Sequence, residues 1–123
     1  MNIRESAQDY LEAILILTKN NGSVKSIEIA SFMNVTKQSV HRAIKNLKEE
    51  DYIFVDEKGN ISFNEKGKKI AEETYEKHQV LSKFFMSLNV PEDIAYGDAC
   101  KIEHDISKET FDAIKSLVDK MDK

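Results

Sequence analysis

The stretch Cys100-Lys101-Ile102-Glu103-His104 places a thiol, a carboxylate and an imidazole close together in the chain. On a helix, positions i, i+3 and i+4 share a face, so Cys100, Glu103 and His104 are predicted to project toward one point. Thiolate, carboxylate and imidazole are ligand types that divalent transition metals accept, and a half-site of this kind needs partners from elsewhere in the chain. The competing reading is an ordinary helix face. A metallohydrolase built on the same ligands would keep an open coordination position beside a general acid or base. The sequence has no separate catalytic motif such as His-Glu-x-x-His, so no enzyme is expected.

Other ligand types are sparse. Asp9 and Glu12 stand three residues apart and are neighbours on a helix, close to Ile16 and off its main apolar stripe. Taken alone they read as a solvated flank. His78 falls within an apolar seam between Tyr75 and Leu81, where a lone histidine is more often a hydrogen-bonded core residue than a ligand.

The elements that would position these residues follow from periodicity. From Ile3 to Lys19, Ile3, Ala7, Tyr10, Leu11, Ile14 and Leu17 recur at helical spacing, and Asn20-Asn21-Gly22 ends the run. Ser26 is predicted to cap a short helix from Ile27 to Met33, with a tight turn at Asn34-Val35. Thr36 caps a second helix reaching about Glu50, whose buried stripe is Val40, Ala43, Ile44 and Leu47. Two helices joined by a short turn spell helix-turn-helix.

The polar face of that second helix is Lys37, Gln38, Ser39, His41, Arg42, Lys45 and Lys48, with no acid until Glu49-Glu50-Asp51. Acids at a helix C-terminus oppose the macrodipole, so that cluster is not expected to serve helix stability. Ile53-Phe54-Val55, the loop Asp56-Glu57-Lys58-Gly59, and Asn60-Ile61-Ser62-Phe63 alternate with period two and read as a hairpin. A strand pair directly after the basic helix makes a wing, and it gives that helix a use in the major groove of DNA.

Asn64 is predicted to cap a long helix from Glu65 to about Leu88, with stripe Ile70, Ala71, Tyr75, Leu81, Phe84, Phe85 and Leu88. Asn89-Val90 ends it. Pro91-Glu92-Asp93 then opens a helix running to about Ile106, which carries the Cys100 to His104 stretch. Ser107 caps a last helix whose apolar residues Phe111, Ile114, Leu117, Val118 and Met121 cannot all be buried in so short a terminal pair. Self-association through residues 91–121 as a two-fold dimer is the expected answer.

With 123 residues the chain forms one compact unit or two very small ones. Its 41% hydrophobic and 33% charged content is ordinary for a soluble globular domain, and helix formers outweigh β-branched residues. A single cysteine excludes an intrachain disulfide framework, and no charged-then-apolar leader is visible, so the cytoplasm is expected. No apolar run approaches the roughly 18 to 20 residues that cross a bilayer. The net charge of −4 argues weakly against nucleic acid, but it conceals the basic face of residues 37–48.

Order and spacing together resemble the diphtheria-toxin-repressor family of metal-dependent transcriptional repressors, and within it the short manganese-transport-regulator branch. The residues that carry the resemblance are Asp9-Tyr10-Leu11-Glu12-Ala13-Ile14, Thr36 to Leu47, Asn64-Glu65-Lys66-Gly67, His78 and Ile102-Glu103-His104-Asp105-Ile106-Ser107. The resemblance implies a mostly α fold. A winged helix-turn-helix DNA-binding domain (1–70, wing about 53–63) is followed by a helical metal-binding and dimerisation domain (71–123).

Carried over, Asp9, Glu12, His78, Glu103 and His104 look like metal ligands, with Cys100 at the remaining position. The manganese branch has glutamate there, which helps bind two neighbouring ions; Cys100 resembles the iron-responsive branch instead. That branch has methionine where this chain has Asp9, so the site is a hybrid, and one or two ions per chain stay open. Ser82 and Tyr96 stand where the iron branch has the glutamate and histidine of an ancillary site, which is therefore expected to be lacking, as is the SH3-like carboxy-terminal domain of longer relatives.

The implied cofactor is Mn(II) or Fe(II), with Zn(II) or Co(II) as substitutes in vitro. The implied partners are a palindromic double-stranded DNA operator and a second copy of the chain, with no membrane and no small-molecule substrate. Gln38, Ser39 and His41 are then candidates for base edges. Lys37, Arg42, Lys45 and the wing residue Lys58 are candidates for phosphates. Metal bridging the two domains would set recognition-helix spacing against half-sites about 34 Å apart or a multiple of it. The alternative is a winged-helix regulator indifferent to metal.

Overall fold

The computed structural model describes residues 5–122. The elements are α1 (Glu5–Asn21), α2 (Ser26–Met33), α3 (Lys37–Glu49), β1 (Ile53–Val55), β2 (Ile61–Phe63), α4 (Glu65–Ser87), α5 (Glu92–Ile102) and α6 (Lys108–Met121). Ile3, expected to open the first helix, lies outside the described residues. The chain divides into two compact units, Met1–Glu72 and Glu73–Lys123. Among the described residues no helix is long and apolar enough to cross a membrane.

In the first unit α1 packs on α2 and α3, and α3 leads into the hairpin. Leu11, Ile14, Val24, Ile29, Val40, Leu47, Ile53 and Ile61 are among its buried apolar residues, drawn from α1, α2, α3, both strands and the loop before α2. The hairpin is antiparallel, with Ile53 opposite Phe63, Phe54 opposite Ser62 and Val55 opposite Ile61. Period two puts Ile53 and Ile61 inside and leaves Phe54 and Ser62 outside. The loop is closed by Asp56, whose Oδ1 accepts the backbone N–H of Lys58 and of Asn60, each at 2.9 Å. Asn60 was expected in the strand; it belongs to the loop because its N–H and side-chain amide are both engaged by Asp56.

Helix ends differ from the sequence reading in instructive ways. The N-cap of α2 is Lys25 rather than Ser26, because the Glu28 carboxylate accepts the Lys25 backbone N–H at 3.0 Å. Thr36 and Ser107 do cap α3 and α6, accepting from the N–H of Ser39 at 3.1 Å and of Thr110 at 3.2 Å. Asn34, Asp51 and Asn89 take left-handed backbone after α2, α3 and α4. Val35, Tyr52 and Val90 then donate backward to the carbonyls of Ala30, Leu47 and Phe85. The acidic run at 49–51 therefore contributes a helix stop: Asp51 is one of the few residue types that tolerate this conformation. Leu88 lies beyond α4 and is 59% exposed.

The start of α4 is fixed on Tyr52. Its carbonyl accepts the Asn64 N–H at 3.0 Å, and its ring lies 4.2 Å beneath Lys66 Nζ. The Asn64 side-chain amide, expected to cap α4, donates to the Asp51 carbonyl at 2.7 Å. Gly67 is required here because a Cβ would overlap the Tyr52 carbonyl oxygen.

In the second unit, Glu76 pairs with Lys115 and Lys83 with Asp122, so α6 runs in the same direction as α4. Leu81, Ala95, Ala99, Phe111 and Val118 are buried there. Leu117 and Met121, part of the predicted α6 stripe, remain 48% and 46% exposed.

Candidate metal centre

α5 does not reach Ile106 as expected. It ends at Ile102, where the Ile102 carbonyl takes the N–H groups of both Asp105 and Ile106. Glu103 nevertheless keeps right-handed helical backbone and donates its N–H to the Ala99 carbonyl at 3.0 Å. Cys100 and Glu103 therefore still share a face, whereas His104 is set by the following turn.

The face meets α4 at His78. Glu103 is 2% exposed and His78 3%, and Glu103 Oε2 lies 3.0 Å from His78 Nδ1. Cys100 Sγ is 3.6 Å from the same nitrogen, although the residue as a whole is exposed. The His104 side chain is 4% exposed, with Nε2 3.5 Å from Glu103 Oε1. That contact does not amount to a hydrogen bond, and Oε1 is buried without a hydrogen-bond partner among the described residues.

A carboxylate withdrawn from water is costly unless a charge or donors compensate it. Here one oxygen meets an imidazole at hydrogen-bond distance and the other has only the longer contact to His104. Two imidazoles, a carboxylate with one oxygen lacking a hydrogen bond among the described residues, and a thiol suit a divalent transition metal, so this side-chain set fits such an ion.

Tyr96 and Ser82, read from sequence only as positions lacking ancillary ligands, have surroundings that reading did not anticipate. Tyr96 sets its ring edge-on to His78, with centroids 4.2 Å apart and planes at 73°. Its spacing was a usable signal, because Tyr96 lies one helical turn before Cys100 on the same face. Ser82, one turn beyond His78 on α4, is buried at 4% exposure, and its hydroxyl has no hydrogen-bond partner among the described residues.

Asp9 and Glu12 belong to α1 of the first unit, one turn apart and half-buried beside the buried Tyr10, Leu11 and Ala13. On α3, Lys37, Gln38, His41, Arg42 and Lys45 line one open concavity. Ser39 is turned away from that set. It is half-buried and its hydroxyl accepts from the Thr36 hydroxyl at 2.9 Å. Lys58 is exposed in the wing loop. Arg42 also lies near enough to oppose the rise that burial imposes on the Tyr10 hydroxyl's pKa.

Two family profiles match consecutive stretches. Residues 2–61 match the iron dependent repressor N-terminal DNA binding domain, and residues 64–123 match the iron dependent repressor metal binding and dimerisation domain. The chain belongs to the iron-dependent repressor family.

Solved relatives of this repressor family share the fold. The manganese regulator SloR is 26% identical, with a TM-score of 0.81, over 97% of this chain and 55% of its own. IdeR of T. acidophilum is 24% identical, with a TM-score of 0.79, over 95% and 55%. ScaR with bound Zn2+ is 25% identical, with a TM-score of 0.75, over 92% and 53%. The chain thus spans about half the length of these relatives.

Proposed function

We propose that this iron-dependent-repressor family member is a metal(II)-dependent, DNA-binding transcriptional repressor controlling metal-ion homeostasis genes. The observation that carries the reading is the buried His78–Glu103 pair, with one Glu103 oxygen lacking a hydrogen bond among the described residues and with Cys100 and His104 alongside, in a region matching a metal-binding domain. The ion is Mn(II) or Fe(II), and Zn(II) or Co(II) substitute in vitro. ScaR has been solved with Zn2+ and with Cd2+, which supports a site open to several soft or borderline ions.

His78, Cys100, Glu103 and His104 form the ligand set of the second unit, and Asp9 and Glu12 that of the first. On this reading the two sets hold ion in common. A divalent cation supplies charge that offsets the carboxylates and a point to which both sets are tied. Asp9 and Glu12 sit on α1, which packs on the helix-turn-helix, so fixing them fixes the orientation of α3.

Gln38 and His41 read base edges, Lys37, Arg42, Lys45 and Lys58 hold phosphates, and Ser39 acts chiefly through the Thr36 cap. The protein works as a homodimer on a palindromic operator in the cytoplasm and has no catalytic role. The exposed Ile94, Leu117 and Met121 of the second unit support self-association.

The test is selection of duplexes from a random pool with Mn(II), with Fe(II) under anaerobic conditions, or with chelator. Inverted half-sites enriched only with metal are expected. The same enrichment in chelator would favour the metal-indifferent winged-helix regulator.

A further inference from the structure

Resting on the metal site proposed above, we propose that Tyr96 is a positioning residue for metal binding. It holds the His78 imidazole in the orientation that lets His78 and Glu103 act on one ion. The two rings meet edge to face, with centroids 4.2 Å apart and planes at 73°, a geometry in which the positive edge of one ring lies on the negative face of the other. His78 is 3% exposed and its Nδ1 is already fixed by Glu103 Oε2 at 3.0 Å. The contacts of Glu103 and Cys100 both fall on Nδ1, at one end of the ring. The Tyr96 contact is made with the ring itself and so bears on its plane, which contacts at a single nitrogen do not define.

The sequence supplies the lever. Tyr96, Cys100 and Glu103 fall at i, i+4 and i+7 of one α5 face, so the helix that brings Glu103 to the imidazole brings the tyrosine ring to it as well. Tyr96 is itself 50% exposed, too open to be a core residue whose removal would unfold the unit. A residue that only packs would be expected deeper. Groups that orient a ligand typically change metal affinity by about 10- to 100-fold when removed. The edge-to-face contact is made by the ring, which phenylalanine retains, so phenylalanine should serve in its place.

The experiment is Mn(II) binding to the full chain, read as unbound Mn(II) by electron paramagnetic resonance, for wild type, Tyr96→Ala, Tyr96→Leu and Tyr96→Phe. Co(II) absorption spectra serve as a geometric readout. Tyr96→Ala and Tyr96→Leu are expected to weaken Mn(II) about tenfold or more. They should also alter the Co(II) bands, while the melting temperature in chelator stays near that of wild type. Tyr96→Phe is expected to restore both readouts.

Wild-type affinity in Tyr96→Ala and Tyr96→Leu would overturn the assignment, as would a loss in Tyr96→Phe equal to that in Tyr96→Ala. Affinity lost only in step with melting temperature would reduce Tyr96 to a packing residue. Absence of Mn(II) and Co(II) binding by wild type would overturn the metal site itself, and this proposal with it, and is distinguishable from the other outcomes.

Discussion

Replacing Glu103 by Gln separates a metal site from a structural ion pair. The contact is 3.0 Å long between side chains 2% and 3% exposed. With both groups charged, the gross attraction is about 5 kcal/mol at an effective dielectric of 20. Burying the two ions costs several kcal/mol each, so the pair comes out near break-even. Glutamine keeps the shape and removes the negative charge, and the imidazole can shed its proton, so no uncompensated charge is left behind. Stability of Glu103→Gln in chelator should therefore lie within about 2 kcal/mol of wild type.

Metal should separate the two proteins clearly. At a concentration of one hundred times Kd, the ion stabilises wild type by about 2.7 kcal/mol, on the order of 10 °C in Tm for a chain this size. A hundredfold weaker site in the variant leaves about 0.4 kcal/mol, roughly 2 °C. Thermal melting with Mn(II) and with chelator measures both terms. A loss of more than about 3 kcal/mol in chelator, together with an unchanged metal-induced shift, would make Glu103 a structural partner of His78 and refute the reasoning.

Other consequences can be measured independently. Arg42→Ala should weaken operator binding and lower the slope of log K against log salt by about 1, with Mn(II) affinity unchanged; an unaltered slope would count against the basic face of α3. Gly67→Ala should destabilise the chain by about 1 to 3 kcal/mol in urea melts, because its Cβ would displace the Tyr52 carbonyl; unchanged stability would show that the contact relaxes at no cost. Asp56 is held below the usual carboxylate range, chiefly by the Asn60 backbone N–H, so its contribution is complete at neutral pH and is lost as pH falls below about 4 through its depressed folded value. Amide protection factors at Lys58 and Asn60, taken against the intrinsic rate at each pH, should fall on such acidification and in Asp56→Ala; equal protection in Asp56→Ala would remove Asp56 from the wing's support. Cys100→Glu should move metal preference toward Mn(II), and an unchanged ranking would take Cys100 out of selectivity.

Periodicity and capping made much of the fold legible. Thr36 and Ser107 cap where hydroxyl spacing says they should, and the alternation of residues 53–63 gives the hairpin its register. The ends of elements were less readable where side chains compete. Glu28 reaches back to Lys25 and so displaces Ser26 as the cap, and Asp51 stops α3 by its tolerance of left-handed backbone, which a dipole argument on the acidic run does not reveal. At the site, the i, i+3 spacing of Cys100 and Glu103 survives although α5 stops at Ile102, because Glu103 retains helical backbone. The meeting of His78 with Glu103 across a sequence separation of 25 belongs to packing and is invisible to local pattern. So is the exposure of Cys100, which sets its thiol at the edge of the pair and not within it.

The most direct measurement is fluorescence anisotropy on a metal-selected duplex at fixed salt, with saturating Mn(II) or anaerobic Fe(II) and then with chelator. Coupling of about 1 to 3 kcal/mol between metal and DNA predicts affinity 5- to 150-fold higher with metal, and by linkage Mn(II) affinity raised by the same factor when DNA is bound. Equal affinity with metal and with chelator would contradict the account.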